Sequence, residues 1–196
     1  MSLLPNFISK ALLKRENEGN FRVLPDENQL IDFCSNDYLG LARNASLAKI
    51  IENEYANAIA IHKNGSTGSR LISGNFPQTE QLESYLASTF KSESALLFNS
   101  GYVANMGVLS TIPQKSDTIL YDELSHACIK DGMRLSYAER FAFRHNDLKD
   151  VEKKLSHAKG DKYIVVESIY SMDGDEAPLE GLVAICKQFD AYLIVD

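Results

Sequence analysis

The chain has few cysteines and no long hydrophobic run, and these absences exclude several classes of protein. Among its 196 residues are three cysteines, Cys34, Cys128 and Cys186, which are scattered and show no metal-ligand spacing. We therefore expect reduced thiols and a cytoplasmic protein, not a disulfide scaffold. There is no run of 18 or more apolar residues, so no transmembrane helix is predicted. The first fifteen residues lack the apolar core of a signal peptide.

The chain is also short of positive charge. It has 20 Lys and Arg residues against 27 Asp and Glu residues, which gives a net charge of -7. This balance argues against nucleic acid or an anionic membrane as the expected partner. The apolar content of 44% is that of an ordinary soluble globular protein. A chain of this length forms one large domain or part of a larger one.

Several common catalytic signatures are missing as well. A serine hydrolase of the α/β type needs a Gly-x-Ser-x-Gly elbow after a strand, and residues 65–69 have the wrong spacing for it. No Gly-x-Gly-x-x-Gly follows the first predicted strand, so a dinucleotide-binding fold is disfavoured. No His, Cys or carboxylate pair has metal-like spacing, so no metal is predicted. We interpret residues 145–147, His-Asn-Asp, as a helix cap.

The first part of the chain predicts short helices joined by loops. Residues 4–18 form an amphipathic helical pattern, and residues 21–24 and 30–33 flank a turn, which predicts a β-hairpin. A helix is predicted over 46–61, followed by a loop rich in Gly and Ser over 64–75. Thr79 is the predicted N-cap of a helix over 80–90. We take residues 1–45 as an N-terminal segment and residues 46–196 as the main domain.

From residue 95 onward, strands and helices alternate. Strands are predicted at 95–98, 118–121, 140–143, 163–167 and 192–195. Helices are predicted at 102–112, 125–135, 147–155 and 179–189, with Asn146 capping the third of them. This alternation implies βαβ units, and therefore an α/β fold with a mostly parallel sheet and helices on both faces.

Four of the predicted strands end in residues suited to a ligand. Gly101 and Tyr102 open a helix, whose first amides attract an anion, and His126 follows the next strand. Ser171 and Asp196 follow two later strands. Singly, these residues have ordinary interpretations as a β–α turn, a surface or N-cap histidine, and a loop. Because ligands bind beyond the carboxyl ends of parallel strands, the four together favour a cofactor site.

The motifs, taken in order, resemble those of the α-oxoamine synthase family of fold-type I enzymes that use pyridoxal 5'-phosphate (PLP). The matching segments are 35–40 (SNDYLG), 65–74 (GSTGSRLISG), 99–105, 124–127, 144–147, 171–179 and 194–196. They cover essentially the whole chain. The resemblance implies an aspartate aminotransferase-like large domain, of which residues 46–196 would be the N-terminal part, with the C-terminal half absent.

The resemblance implies a decarboxylative condensation of an amino acid with an acyl thioester. The pattern fits best the biotin-pathway branch, in which L-alanine reacts with pimeloyl-CoA or its acyl carrier protein form. The 2-amino-3-ketobutyrate CoA ligase and serine palmitoyltransferase branches stay open. The family's sites lie at homodimer interfaces, so a homodimer is expected.

The resemblance also implies roles for individual residues. Carried over by position, the PLP-binding residues are Gly101, Tyr102, His126, Ser171 and Asp196. Asp196 would pair with the ring nitrogen and His126 would stack on the ring, and these two are the predicted catalytic residues. Arg22, Asn36 and His126 would contact substrate.

The lysine that holds PLP in this family is not in the expected position among these 196 residues. The family places it after the aspartate that corresponds to Asp196. We therefore expect an enzyme of which this chain is the N-terminal half. A non-enzyme alternative is a catalytically inactive half-domain that serves as a binding or scaffold module.

Overall fold

The computed structural model describes residues 4–24, 31, 33, 35–62 and 65–196. The chain divides into two compact units, Met1–Thr67 and Gly68–Asp196. In the first unit, α1 spans Asn6–Asn17, a 3-10 turn spans Leu41–Arg43, and α2 spans Ala45–His62. The two helices predicted for this part of the chain are therefore confirmed. The division of the chain into an N-terminal segment, 1–45, and a main domain, 46–196, stays a prediction.

The predicted β-hairpin is the exception in the first unit. Residues 21–24 form no strand. The turn and much of the second predicted strand, residues 25–30 and 32, lie outside the described residues. A strand requires a ladder of hydrogen bonds with a neighbour, and local hydrophobic alternation does not supply one.

The second unit is a layered α/β structure with four strands and five α-helices. Its helices are α3, Pro77–Phe90; α4, Gly101–Thr111; α5, Ala127–Leu135; α6, Leu148–Leu155; and α7, Leu179–Phe189. Its strands are β1, Thr118–Asp122; β2, Glu139–Phe143; β3, Lys162–Val166; and β4, Ala191–Val195. The predicted alternation from residue 102 onward is confirmed, with ends that shift by no more than two residues. None of the described helices is long and apolar enough to cross a membrane.

The four strands form one parallel sheet in the order β2-β1-β3-β4. Successive side chains of a strand point to opposite faces, so neighbouring residues enter different cores. Ile119 of β1 packs with α4 and α5, whereas Leu120 packs with α6 and α7. Tyr163 and Ile164 of β3 divide in the same way. The sheet is therefore covered on both faces, and all four strands end at one edge.

The predicted strand at residues 95–98 is wrong. These residues adopt no regular secondary structure, and the side chain of Leu96 is 65% exposed. None of the four strands pairs with this segment. Its hydrophobicity alone predicted a strand, but strand formation also needs a hydrogen-bonding partner.

Two predicted helix caps are also wrong. The helix predicted to begin after Thr79 starts at Pro77, with Phe76 at the N-cap. Proline suits a first helical position because it has no N–H group that needs a partner there. The cap of α6 is Asp147, whose carboxylate accepts from the Asp150 amide at 3.0 Å, and not Asn146. Asn146 adopts a left-handed conformation with φ of 54°.

Candidate functional site

Asp196 is fixed at the edge where the strands of the sheet end. Its backbone N–H donates to the Val166 carbonyl at 2.9 Å, and its carbonyl accepts from the Ser168 amide at 2.7 Å. These bonds continue the pairing of β3 and β4 by one residue, so they set the direction of the side chain. The carboxylate Oδ2 accepts from Asn105 Nδ2 at 2.9 Å. Asp196 thus follows a strand end, as the sequence predicted, and a neutral amide orients it.

The start of α4 lies in the same unit and presents free backbone donors. Ser100 caps this helix, and its hydroxyl accepts from the Val103 amide at 3.2 Å. Among the described residues, none accepts from the amides of Gly101 and Tyr102. A Cβ atom placed on Gly101 would meet nothing within 4 Å. The helix dipole and these donors make an open position suited to an anion.

Tyr102 is held by a side chain that the sequence did not suggest. Its hydroxyl donates to the Asp131 carboxylate on α5. This hydrogen bond raises the pKa of Tyr102 and lowers the pKa of Asp131. The Tyr102 ring stands perpendicular to the His126 ring, with centroids 6.5 Å apart. Tyr102 therefore limits the space on one side of the His126 imidazole.

His126 is the N-cap of α5. Its Nδ1 accepts from the Cys128 amide at 3.2 Å, and the Cys128 thiol sulfur lies 2.9 Å from the same nitrogen. The sequence left open whether this histidine caps a helix or faces a ligand. The structure confirms the cap, and the two roles are compatible because Nε2 lies on the other edge of the ring. No described residue forms a hydrogen bond with Nε2.

Glu167 connects the segments that follow β1 and β3, and the sequence analysis did not identify it as a site residue. One carboxylate oxygen accepts from the His126 amide, and the other accepts from the Ser171 amide at 3.4 Å. Its side chain is buried. The sequence does show a glutamate directly after the apolar strand β3. A buried carboxylate needs hydrogen-bond donors, so this position could have been identified as one that contacts neighbouring amides.

Ser171 lies on a short loop that folds back over the end of β3. Ile169 pairs with Glu176 in an antiparallel bridge, and the Tyr170 amide donates to the Asp175 carbonyl at 2.9 Å. Gly174 closes the turn with φ of 76°, which glycine tolerates. The loop thus places Ser171 next to Glu167, with its side chain exposed.

A second polar cluster, which we call the His145 cluster, lies at the ends of β1 and β2. His145 Nδ1 lies 2.9 Å from Asp122 Oδ1, and Nε2 lies 2.7 Å from Asp175 Oδ2. Asn146 donates its backbone N–H to Asp122 at 3.0 Å and its side-chain amide to Asp175 at 2.8 Å. The sequence interpretation of residues 145–147 as a helix cap therefore missed the main role of His145.

The charges of this cluster favour a protonated histidine. Burial by itself lowers the pKa of His145, but the hydrogen bonds to Asp122 and Asp175 outweigh it and hold this pKa above its ordinary value. The hydroxyl of Tyr170 is buried near Asp122, and burial raises the pKa of this tyrosine. Within the described part of the chain, no group of three or more His, Cys, Asp or Glu side chains could hold a metal ion.

The two predicted substrate residues, Arg22 and Asn36, lie in the first unit. Arg22 lines an open groove of about 510 Å³ beside α1, together with Lys14, Arg15 and Glu18. Asn36 precedes Asp37, whose carboxylate accepts from the Ala42 amide at 3.2 Å and so stabilises the turn. Both predicted residues are solvent-accessible in this unit.

Comparison with known proteins gives consistent matches. The family model of class I and class II aminotransferases matches residues 28–196. A curated 8-amino-7-oxononanoate synthase from Lysinibacillus sphaericus is 43% identical over 176 residues, which are 89% of this chain and 44% of that protein.

Two solved structures that resemble this chain are a serine palmitoyltransferase and an 8-amino-7-oxononanoate synthase. Serine palmitoyltransferase from S. paucimobilis with a bound PLP–myriocin aldimine superposes with a TM-score of 0.83 at 28% identity, over 97% of this chain and 51% of that one. An 8-amino-7-oxononanoate synthase from Francisella tularensis gives 0.69 at 29% identity, over 86% and 45%. The predicted fold is confirmed. The chain spans about half the length of the curated relatives it matches.

Proposed function

Because the chain belongs to the family of class I and class II aminotransferases, we propose that it binds PLP as part of an α-oxoamine synthase. The observation that carries this proposal is the environment of the Asp196 carboxylate. Its carboxylate is oriented by the neutral amide of Asn105, and no cationic side chain among the described residues pairs with it. An oriented and unneutralised carboxylate at a strand end fits the protonated ring nitrogen of PLP.

Other groups of the same unit suit the rest of the cofactor. The free amides of Gly101 and Tyr102 at the start of α4 would hold the phosphate, since helix N-termini favour anions. His126 would lie against the pyridine ring, and the exposed Ser171 would donate to the cofactor near its phenolic oxygen. The position of these residues on the strand ends and helix start of one unit favours a cofactor site.

When bound, PLP supplies an electron sink for negative charge on the Cα atom of an amino acid. The contribution of this chain is electrostatic and steric. Asp196 would stabilise a proton on the ring nitrogen, without which the ring accepts electrons poorly. His126 would lie against the ring and so limit its orientation, and the perpendicular ring of Tyr102 lies beside the imidazole. The Glu167 carboxylate holds the backbone at His126 and Ser171.

For the reaction, we favour condensation of L-alanine with pimeloyl-CoA or pimeloyl acyl carrier protein. The products would be 8-amino-7-oxononanoate, carbon dioxide and the free thiol carrier, which is a step of biotin biosynthesis. The names of the curated relatives support this choice. Arg22 lies in a groove with Lys14 and Arg15, so the groove suits a substrate carboxylate, and Asn36 would contact the amino acid. A homodimer is expected because sites of the α-oxoamine synthase family lie at dimer interfaces. A cytoplasmic location is expected because the three cysteines show neither a disulfide nor a metal-ligand pattern.

Serine palmitoyltransferase activity is the second candidate. It is favoured by one observation, since serine palmitoyltransferase superposes with a TM-score of 0.83 and the Francisella synthase with 0.69. The higher identity of the curated synthases outweighs it, because a common fold does not fix the substrate. Turnover by the protein that carries this chain should be compared for L-alanine with pimeloyl-CoA, glycine with acetyl-CoA, and L-serine with palmitoyl-CoA. An enzyme inactive with L-alanine would exclude the synthase.

Cofactor attachment gives a separate test. The protein should be incubated with PLP, reduced with borohydride, digested and examined by peptide mass spectrometry. We expect a pyridoxyl label on a lysine peptide that lies outside these 196 residues. A protein that carries no label, or a label on one of the lysines in the present sequence, would support the inactive half-domain or a different site.

A further inference from the structure

Asp196 and His126 are connected through the side chains of Asn105 and Cys128. Asn105 Nδ2 lies 2.9 Å from Asp196 Oδ2 and 3.2 Å from Cys128 Sγ. Cys128 Sγ lies 2.9 Å from His126 Nδ1. We call this series of contacts the Asp196–His126 chain. It joins α4, α5 and the end of β4.

Donor and acceptor chemistry gives the Asp196–His126 chain one direction. An amide nitrogen carries two protons and accepts none, so Asn105 can donate to Asp196 and to the Cys128 sulfur at the same time. The reversed amide would place its oxygen against the Asp196 carboxylate, which is repulsive. The thiol proton is then free to point to His126 Nδ1. Each link therefore has one donor and one acceptor.

The backbone amide and the thiol of Cys128 both favour one tautomer of His126. Nδ1 already accepts the backbone N–H of Cys128 at 3.2 Å, so it carries the lone pair and the ring proton lies on Nε2. The Cys128 thiol adds a second donor to the same nitrogen. This thiol is 3% exposed, so water cannot readily take its place.

We propose that Asn105 and Cys128 are positioning residues that orient Asp196 and hold His126 in its Nε2–H tautomer. The role in cofactor binding depends on the proposed function. Asn105 donates to Oδ2 of Asp196 without cancelling the charge of the carboxylate, so Oδ1 would be available to the ring nitrogen of PLP. Cys128 holds the edge of the imidazole away from the cofactor, so that the ring face and Nε2 stay available.

The first experiment reads the tautomer and needs no cofactor. In the protein that carries this chain, with ¹⁵N-labelled histidine, we expect the His126 imidazole to show the Nε2–H form at neutral pH. Cys128→Ala should allow a detectable Nδ1–H population, and Cys128→Ser, which keeps a donor, should restore the wild-type pattern. A wild-type protein with Nδ1–H, or identical spectra for wild type and Cys128→Ala, would overturn the role of Cys128.

The second experiment measures PLP binding by absorbance and equilibrium dialysis. Asn105→Leu removes a hydrogen bond to a charged group, so the dissociation constant should rise about 10- to 100-fold. Cys128→Ala should raise it about 2- to 10-fold, as expected for a neutral hydrogen bond. Unchanged PLP affinity in Asn105→Leu would overturn the role of Asn105.

Cys186→Ala is the matched control. Cys186 is also buried, but it lies on α7 in the core on the opposite face of the sheet. Cys186→Ala removes a buried sulfur as Cys128→Ala does, so both variants should lose stability. Cys186→Ala should change neither the His126 tautomer nor the PLP affinity. If Cys186→Ala moves either readout as much, the effects arise from packing and the proposal fails. If the wild-type protein binds no PLP, the proposed function fails, while the tautomer experiment still tests the Asp196–His126 chain.

Discussion

His126 and His145 both follow strand ends of one sheet, and the structure uses them differently. Both ring nitrogens of His145 contact carboxylates, one from Asp122 and one from Asp175. His126 uses only Nδ1 within the protein, and none of the described residues bonds to its Nε2. A histidine bound at both nitrogens can join elements of the fold, whereas one with a free nitrogen can also meet a ligand. Position at a strand end therefore does not separate the two roles, but the count of occupied nitrogens does.

The largest effect should come from breaking the His145 cluster at Asp122. This carboxylate is fully buried and accepts from His145, the Leu124 amide and the Asn146 amide. Asp122→Ala leaves the Leu124 and Asn146 amides without this acceptor and removes one of the two carboxylates that contact His145, so the free energy of unfolding should fall by about 3–5 kcal/mol. Urea denaturation measures the loss. Asp173→Ala, at an exposed position of the same unit, should change the free energy of unfolding by less than about 0.5 kcal/mol. Equal losses would show that Asp122 is not special.

At His126 we expect loss of activity with little loss of stability. Asparagine is a good N-cap residue, so His126→Asn keeps an acceptor for the α5 amides and removes the ring. The turnover of the protein that carries this chain should fall roughly 10²-fold or more. Its urea midpoint should stay close to that of the wild type. A variant with full turnover would remove His126 from the cofactor site, and the contrast with His145 would fail.

The His145 cluster should also make stability depend on pH. The pKa of His145 is raised in the folded protein. The stabilisation is thus complete below the unfolded value of about 6.5 and is lost as pH rises through the folded pKa. The free energy of unfolding should fall in this interval with a slope of up to about 1.4 kcal/mol per pH unit.

The control for this pH dependence is His145→Gln, measured over the same pH series. Glutamine cannot titrate, so the variant should lack the slope, although it is less stable at low pH. If the slope survives in His145→Gln, another group titrates in this interval, and the two histidines differ less than we infer.

The sequence predicted most of the second unit because its helices and strands depend on local patterns. β1, β3 and β4 are short apolar runs, and α5, α6 and α7 have clear amphipathic spacing. The predicted strand at 95–98 failed because it needed a neighbour that no local pattern reveals. The contacts of Asn105 with Asp196 and of Glu167 with His126 span 91 and 41 residues. Such pairs depend on the register of the sheet, so the sequence indicated the strand ends but not the side chains that orient them.

The smallest effect that we predict concerns the N-cap of α6, which can be compared with the N-cap of α5. His126 caps α5 and Asp147 caps α6, and the sequence assigned the second cap to Asn146. Asp147→Ala should lower the free energy of unfolding by about 1 kcal/mol, because the Asp150 amide loses its side-chain acceptor and keeps only the Asp147 carbonyl. Asp147→Ala should leave turnover unchanged, since Asp147 contacts none of the proposed cofactor residues. A fall in turnover without a loss of stability would mean that the end of β2 also belongs to the functional site.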